Sequence, residues 1–124
     1  MRLNILVMER SESVRDATVH VLTLCNCESV AFGDAATALD ALNVIRFDAV
    51  VAGMAQGDLD VPKFVNAAKS VQPSLLIVVG SGYRSETAYP QVVDSYVDFP
   101  CSLDGMRSAL LQALERLKNS NSDE

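Results

Sequence analysis

The chain has no tryptophan, one histidine and only three cysteines. With His20 alone, a histidine cluster able to build a metal centre is excluded. His20 falls on the polar side of a predicted helix and reads as a solvated residue. Cys25, Cys27 and Cys101 form an odd set without a CxxC pair, so neither a zinc site nor a disulfide framework is expected. They read as reduced, mostly buried thiols of a cytoplasmic protein. Cys25-Asn26-Cys27 as a metal or redox pair is the weaker alternative, because no second pair completes four ligands. Basic charge is scarce as well: 10 Lys and Arg stand against 16 Asp and Glu, a net charge of -6. Phosphate-contacting surfaces need a basic patch, which argues against nucleic-acid binding. No apolar run approaches the roughly 20 residues of a membrane span. The opening MRLNILV enters a strand at once and predicts no cleavable signal. Internal repeats and linkers are absent.

What is present is a core, since 49% of the 124 residues are hydrophobic. That is enough for one compact domain. Its centre is DAVVAGMAQG, residues 48–57. Ala49 to Ala52 are wholly apolar and partly β-branched, which suits a strand covered on both faces of a parallel sheet. In such sheets ligands and chemistry gather past the carboxyl ends of the central strands. At that place stands Gly53, which has no side chain.

Strands are predicted at Leu3 to Met8, Glu28 to Phe32 (an edge), Ala49 to Ala52, Leu75 to Val79 and Ser95 to Asp98. Ser11 or Ser13 caps a first helix whose stripe is Val14, Ala17, Val21, Leu22 and Cys25, with Thr18 bonding back to the preceding turn. Asn26 ends it in the left-handed region. Asp34 caps a second helix with Ala35, Ala38, Leu39, Leu42 and Ile45 inward. Asp60 caps a third, with Pro62 in its first turn and Phe64, Val65, Ala68 and Val71 inward. Gly80-Ser81-Gly82 reads as a flexible loop. Between Tyr83 and Asp94, Pro90 permits one or two distorted turns of a fourth helix. Ser102 caps the last helix, with Leu103, Met106, Leu110, Ala113, Leu114 and Leu117 as its stripe; Asn119 to Glu124 reads as a disordered polar tail. Alternating strands and helices with short connections give an α/β domain, a parallel sheet with helices on both faces.

The runs ILVMERSESVRDA, FDAVVAGMAQGD, LLIVVGSGYRSETA and SYVDFPCSLDGM resemble the receiver domain of two-component response regulators. The resemblance implies one receiver-like domain over residues 1–118. It further implies a flavodoxin-like, doubly wound (βα)5 fold with strand order 2-1-3-4-5. A typical receiver accepts a phosphoryl group on an aspartate after strand three, beside magnesium held by acidic residues after strand one. A hydroxyl residue after strand four and a lysine before a cis-proline after strand five bind the phosphoryl oxygens. Carried over by position, the acidic pair falls on Glu9 and Arg10, the acceptor on Gly53, and the hydroxyl on Gly80 with Ser81 next in line. The lysine falls on Phe99, followed by a retained Pro100.

This departure from the pattern implies a degenerate site. At about 4 Å and an effective dielectric of ~20, one charge contact is worth on the order of 4 kcal/mol. Placing Arg10 where the family has a carboxylate is therefore expected to abolish magnesium binding, and no catalytic residue or other cofactor is expected. Asp58 and Asp60 read as turn and cap residues, Asp48 as the polar lead into a strand at its amino end, and Asp98 has no visible partner. Phe99 either plugs the vacated pocket or lies exposed as a contact. Tyr96 occupies the family's switching-aromatic position, and without a hydroxyl at Gly80 no coupling to phosphate is expected. Met54 and Leu59 are candidate apolar contacts. The resemblance thus points to a phosphorylation-independent module, not an enzyme, binding a kinase, another regulator or a second copy. Two alternatives stay open: a conventional phospho-accepting receiver with a displaced site, and a small flavodoxin-like nucleotide-binding domain using the Gly80-Ser81-Gly82 loop.

Overall fold

A computed structural model describes residues 2–53, 60–81, 93–98 and 102–122. The elements run β1 (Asn4–Met8), α1 (Glu12–Leu24), β2 (Glu28–Phe32), α2 (Ala35–Leu42), β3 (Ala49–Gly53), α3 (Val61–Val71), β4 (Leu76–Ser81), β5 (Ser95–Asp98) and α4 (Leu103–Ser122). All strand pairs are parallel and the sheet order is β2-β1-β3-β4-β5, as the resemblance implied. The distorted helix expected between Tyr83 and Asp94 lies outside the described residues.

The two-residue period of the strands divides the core into two layers. Leu6, Met8, Val50, Ala52, Ile77 and Val79 pack on one side against α2 and α3. Ile5, Val7, Val51, Val78 and Val97 pack on the other against Leu22 of α1 and Met106, Ala109, Leu110 and Ala113 of α4. Central strands buried on both faces explain why β1, β3 and β4 read as continuous apolar runs. Each fully buried aliphatic side chain there contributes about 1.5–3 kcal/mol.

Local chemistry sets the helix ends. Ser11 caps α1 by accepting the Val14 N–H, Asp34 caps α2 through Thr37, and Asp60 caps α3 through Lys63. Ser102 accepts the Gly105 N–H at 3.0 Å at the start of α4. Asn26 adopts φ 64°. The Asn26 N–H bonds Thr23 O and the Cys27 N–H bonds Leu22 O, each at 3.0 Å, the paired closure that needs a left-handed residue. Buried Thr18 donates back to Val14 O at 2.7 Å, as expected. Ser95 ties β5 to α4 through Ala109 O at 2.6 Å.

Several details differ from the sequence reading. Ala17 is exposed, because the buried line of α1 runs through Val14, Thr18, Leu22 and Cys25. α2 stops at Leu42, and the turn after it carries Ile45 out into solvent; Ala41 fills the core position instead. Val71 and Leu114 also lie exposed, each at the far edge of its helix's buried stripe. Gly80 and Ser81 are not a loop: β4 continues through Ser81, because β5 pairs along it as far as Ser81 opposite Asp98. Residues 119–122, read as disordered, continue α4. Once a helix is nucleated each added residue gains one bond, and no glycine or proline follows Gly105 to stop it.

Candidate functional site

The carboxyl ends of β1, β3 and β4 meet in a row. Met8 pairs with Ala52, Gly53 with Gly80, and Gly80 with Val97. Glu9 follows directly after Met8, beside Gly53. Since Met8, Ala52 and Val79 belong to the α2/α3 side, alternation places Glu9, Gly53, Gly80 and Val97 on the α1/α4 side. Glu9 is therefore the one residue in that row with an ionisable side chain, and the strand-end glycines follow it on the β3 side.

Glu9 is 1% exposed. Its N–H donates to Phe32 O at 3.0 Å, continuing the ladder past β1. One carboxylate oxygen, Oε2, accepts the Ser11 N–H at 2.9 Å, which draws the start of α1 onto the end of β1. The other, Oε1, is buried with no hydrogen-bond partner. A buried acceptor left unpaired costs about 1–3 kcal/mol, more when charged.

Two arginines, Arg10 and Arg15, stand along the turn from β1 into α1. Arg10 is exposed. Arg15, in the first turns of α1, donates Nη1 to Glu9 O at 2.9 Å and to Arg10 O at 3.4 Å. The same nitrogen is 3.0 Å from where a Cβ on Gly33 would stand, so glycine there makes room for the guanidinium. Arg15 thus clamps the β1–α1 turn onto α1 and passes beside Gly33 at the end of β2. Sequence reasoning missed both residues: an arginine inside a helical turn carries no motif, and its partners are main-chain carbonyls.

Among the described residues the strand-end donors fall short of the set that magnesium takes. That ion takes near-octahedral oxygen ligands anchored by one or two carboxylates and bound phosphates. Among the described side chains at these strand ends, Glu9 is the one carboxylate, with Gly53 and then Gly80 to one side of it. Among the described residues no group of three or more His, Cys, Asp or Glu could hold a metal ion. Ser81 lies in β4 opposite Asp98, one residue beyond the Gly53–Gly80 pair. Tyr96 is half-buried in β5 and packs against the α2/α3 layer. Phe99, Pro100, Met54, Asp58 and Leu59 lie outside the described residues.

The other candidates fall elsewhere. Asp48 sits at the amino end of β3, where its Oδ2 accepts the Asn4 N–H at 2.8 Å. His20 is exposed on α1. Cys25 and Cys27 are free thiols; burial pushes both up from the ordinary thiol range, against lowering by Arg107 at Cys25 and Arg2 at Cys27. No helix among the described residues is long and apolar enough to cross a membrane.

A five-stranded parallel sheet in this order, covered by helices on both faces, is the flavodoxin-like architecture. Known structures narrow it to the fold of CheY-like receiver domains. The chain is similar to the signal receiver domain of an HD domain-containing protein from Pseudomonas fluorescens Pf-5, with TM-score 0.79, 20% identity, and 96% of this chain covering 99% of that one. It is similar to a CheY-like response regulator receiver domain from Methylobacillus flagellatus, with TM-score 0.80, 15% identity, and coverage of 91% and 99%. It also resembles NtrX from Brucella abortus, with TM-score 0.83 and 25% identity over 98% of this chain and 29% of that one. No protein-family model matches the sequence, and no curated protein does.

Proposed function

We propose that the chain is a receiver-like module of two-component signal transduction that works by protein–protein contact, without phosphorylation at the usual position and without magnesium. The observation that carries this reading is the strand-end row in which Gly53 and Gly80 stand where receivers place an acceptor aspartate and a hydroxyl. A phosphoryl group cannot be taken up by a position that has no nucleophile. The described part of the fold around that row has the receiver sheet order and two buried layers. A scaffold retained without its acceptor supports a role in binding rather than catalysis.

On this reading the partner is a kinase, another regulator or a second copy of the chain, met in the cytoplasm. The net charge of -6 disfavours nucleic acid as a partner. Gly80 supplies no hydroxyl through which a phosphoryl group would draw on Tyr96. The surface presented to a partner is then the same at all times, and affinity is set by that surface and not by a switch.

The test is incubation of the full chain with an acyl phosphate donor and magnesium, followed by intact-mass analysis. Wild type gains no phosphoryl mass. Gly53→Asp gains none either, because the hydroxyl and lysine positions are also changed. An acid-labile phosphoaspartate on wild type overturns the proposal; one on Gly53→Asp overturns the placement of Gly80 and Phe99.

A further inference from the structure

α1 gives way to β2 through Cys25-Asn26-Cys27, at the end of the sheet opposite the strand-end row. This turn is held by its own backbone. The Cys25 N–H reaches both Val21 O and Leu22 O, the Asn26 N–H reaches Thr23 O, and the Cys27 N–H reaches Leu22 O, each at 3.0 Å. Asn26, in the left-handed region, turns the chain between the two cysteines, and both of their side chains pack in the α1/α4 layer. Cys27 is buried and Cys25 half-buried. The Cys27 thiol folds back across Asn26 and donates to Cys25 O at 3.8 Å. Both cysteines are free thiols.

Two thiols on one fixed turn are a ligand pair whose ordering cost is already met by the fold. Zinc takes four ligands in a structural site, and among the described residues no third His, Cys, Asp or Glu joins these two. Soft thiolates select Cu(I), a closed-shell ion that is satisfied by two sulfurs and needs neither water nor oxygen ligands. The charge nearby also suits that ion. Arg107 of α4 hydrogen-bonds the Cys25 side chain, and Arg2, which also pairs with Glu28 at 3.4 Å, lies close enough to act on the charge of Cys27. Cu(I) held by two thiolates carries one net negative charge, and a guanidinium beside each sulfur offsets it. Burial at Cys27 keeps water out, while the half-buried Cys25 leaves an entry path.

We propose that Cys25 and Cys27 form a binding site for a single Cu(I) ion. Binding is an exchange without change of oxidation state. Each sulfur keeps the electron pair of its S–H bond and gives it to copper, and the two thiol protons pass to solvent. The site lies away from the strand-end row and does not depend on whether that row accepts a phosphoryl group.

The test is titration of the reduced full chain with Cu(I) under nitrogen, in competition with the chromogenic chelator bicinchoninate. The chain is expected to withdraw one copper per molecule from the chelator and to gain a thiolate-to-copper charge-transfer band in the ultraviolet. Loss of one of two ligands costs more than loss of an outer partner, so Cys25→Ser is expected to weaken binding more than about 100-fold and to remove the band. Cys27→Ser is expected to do the same, read on protein that keeps the wild-type circular dichroism; if this buried substitution prevents folding, the half-buried Cys25→Ser carries the test. Cys101→Ser is expected to leave the stoichiometry, affinity and band unchanged. A wild-type chain that withdraws no copper overturns the proposal, as does binding undiminished in Cys25→Ser or lost in Cys101→Ser.

Discussion

Replacing Glu9 with glutamine should stabilise the protein. The substitution keeps the side chain's shape and keeps an oxygen for the Ser11 N–H, now 2.9 Å from Oε2. It removes a charge from a site 1% exposed, where Oε1 has no donor. The effective penalty for burying an ion is several kcal/mol, of which the Ser11 bond and the Arg15 guanidinium on Glu9 O offset a part. A net gain of about 1–2 kcal/mol is expected after the glutamine amide takes its own desolvation cost. At about 3–6 °C per kcal/mol for a domain of this size, thermal unfolding followed by circular dichroism resolves it. Magnesium supplies the second arm. A site filled at 100 times its dissociation constant would add about 2.7 kcal/mol, a rise in Tm too large to miss. Wild type is expected to show no such rise, with or without beryllofluoride. If Glu9→Gln lowers stability, or if magnesium raises the wild-type Tm and the variant loses that rise, the carboxylate has a cationic partner and the reasoning fails.

Asn26→Ala should cost about 1–2 kcal/mol in urea unfolding, because alanine pays for the left-handed backbone that glycine adopts freely; Asn26→Gly should show no such loss. The Thr37 backbone N–H, 2.8 Å away, and then its hydroxyl hold the Asp34 carboxyl below its ordinary range. Its contribution is therefore complete above the ordinary carboxylate range and disappears as pH falls through the lowered folded value. Asp34→Asn should flatten that part of the acid limb of a urea-midpoint profile, and an unchanged limb would contradict the cap. In a Cys101→Ser background, native Cys27 should react with iodoacetamide far more slowly at neutral pH than in urea, since it is 5% exposed and burial raises its thiol. Equal rates in the two conditions would place it at the surface.

Strands and helix starts were readable because their causes are local. Ala49 to Ala52 announce a doubly covered strand by composition alone, and Ser11, Asp34, Asp60 and Ser102 announce caps by a short side chain placed before an apolar period. Exposed Ile45 and Val71 were not readable, because both sit where a helix gives out and the following turn, not the period, decides their direction. Extension of β4 through Ser81 depends on β5, a strand that begins 14 residues later in the chain. At the strand-end row the missing side chains of Gly53 and Gly80 could be read from the sequence. The burial of Glu9 and the clamp by Arg15 could not, since both arise from how α1 settles on the sheet.

The length of α4 has an effect on the protein's opening motions. Twenty helical residues extend about 30 Å, against roughly 13 Å for the four residues of β5 beneath them. Among the described side chains of α4 the last deeply packed one is Ala113, and Arg116 makes a tether at 2.6 Å to Val93 O. Past it, six residues of helix run to Ser122. Amide exchange along α4 should therefore be graded: slowest from Met106 to Ala113, where only whole-molecule unfolding frees a proton, and fast in the final turn. A single helix then reports both global and end-fraying equilibria, and their spacing in free energy measures how much of its hold comes from the sheet.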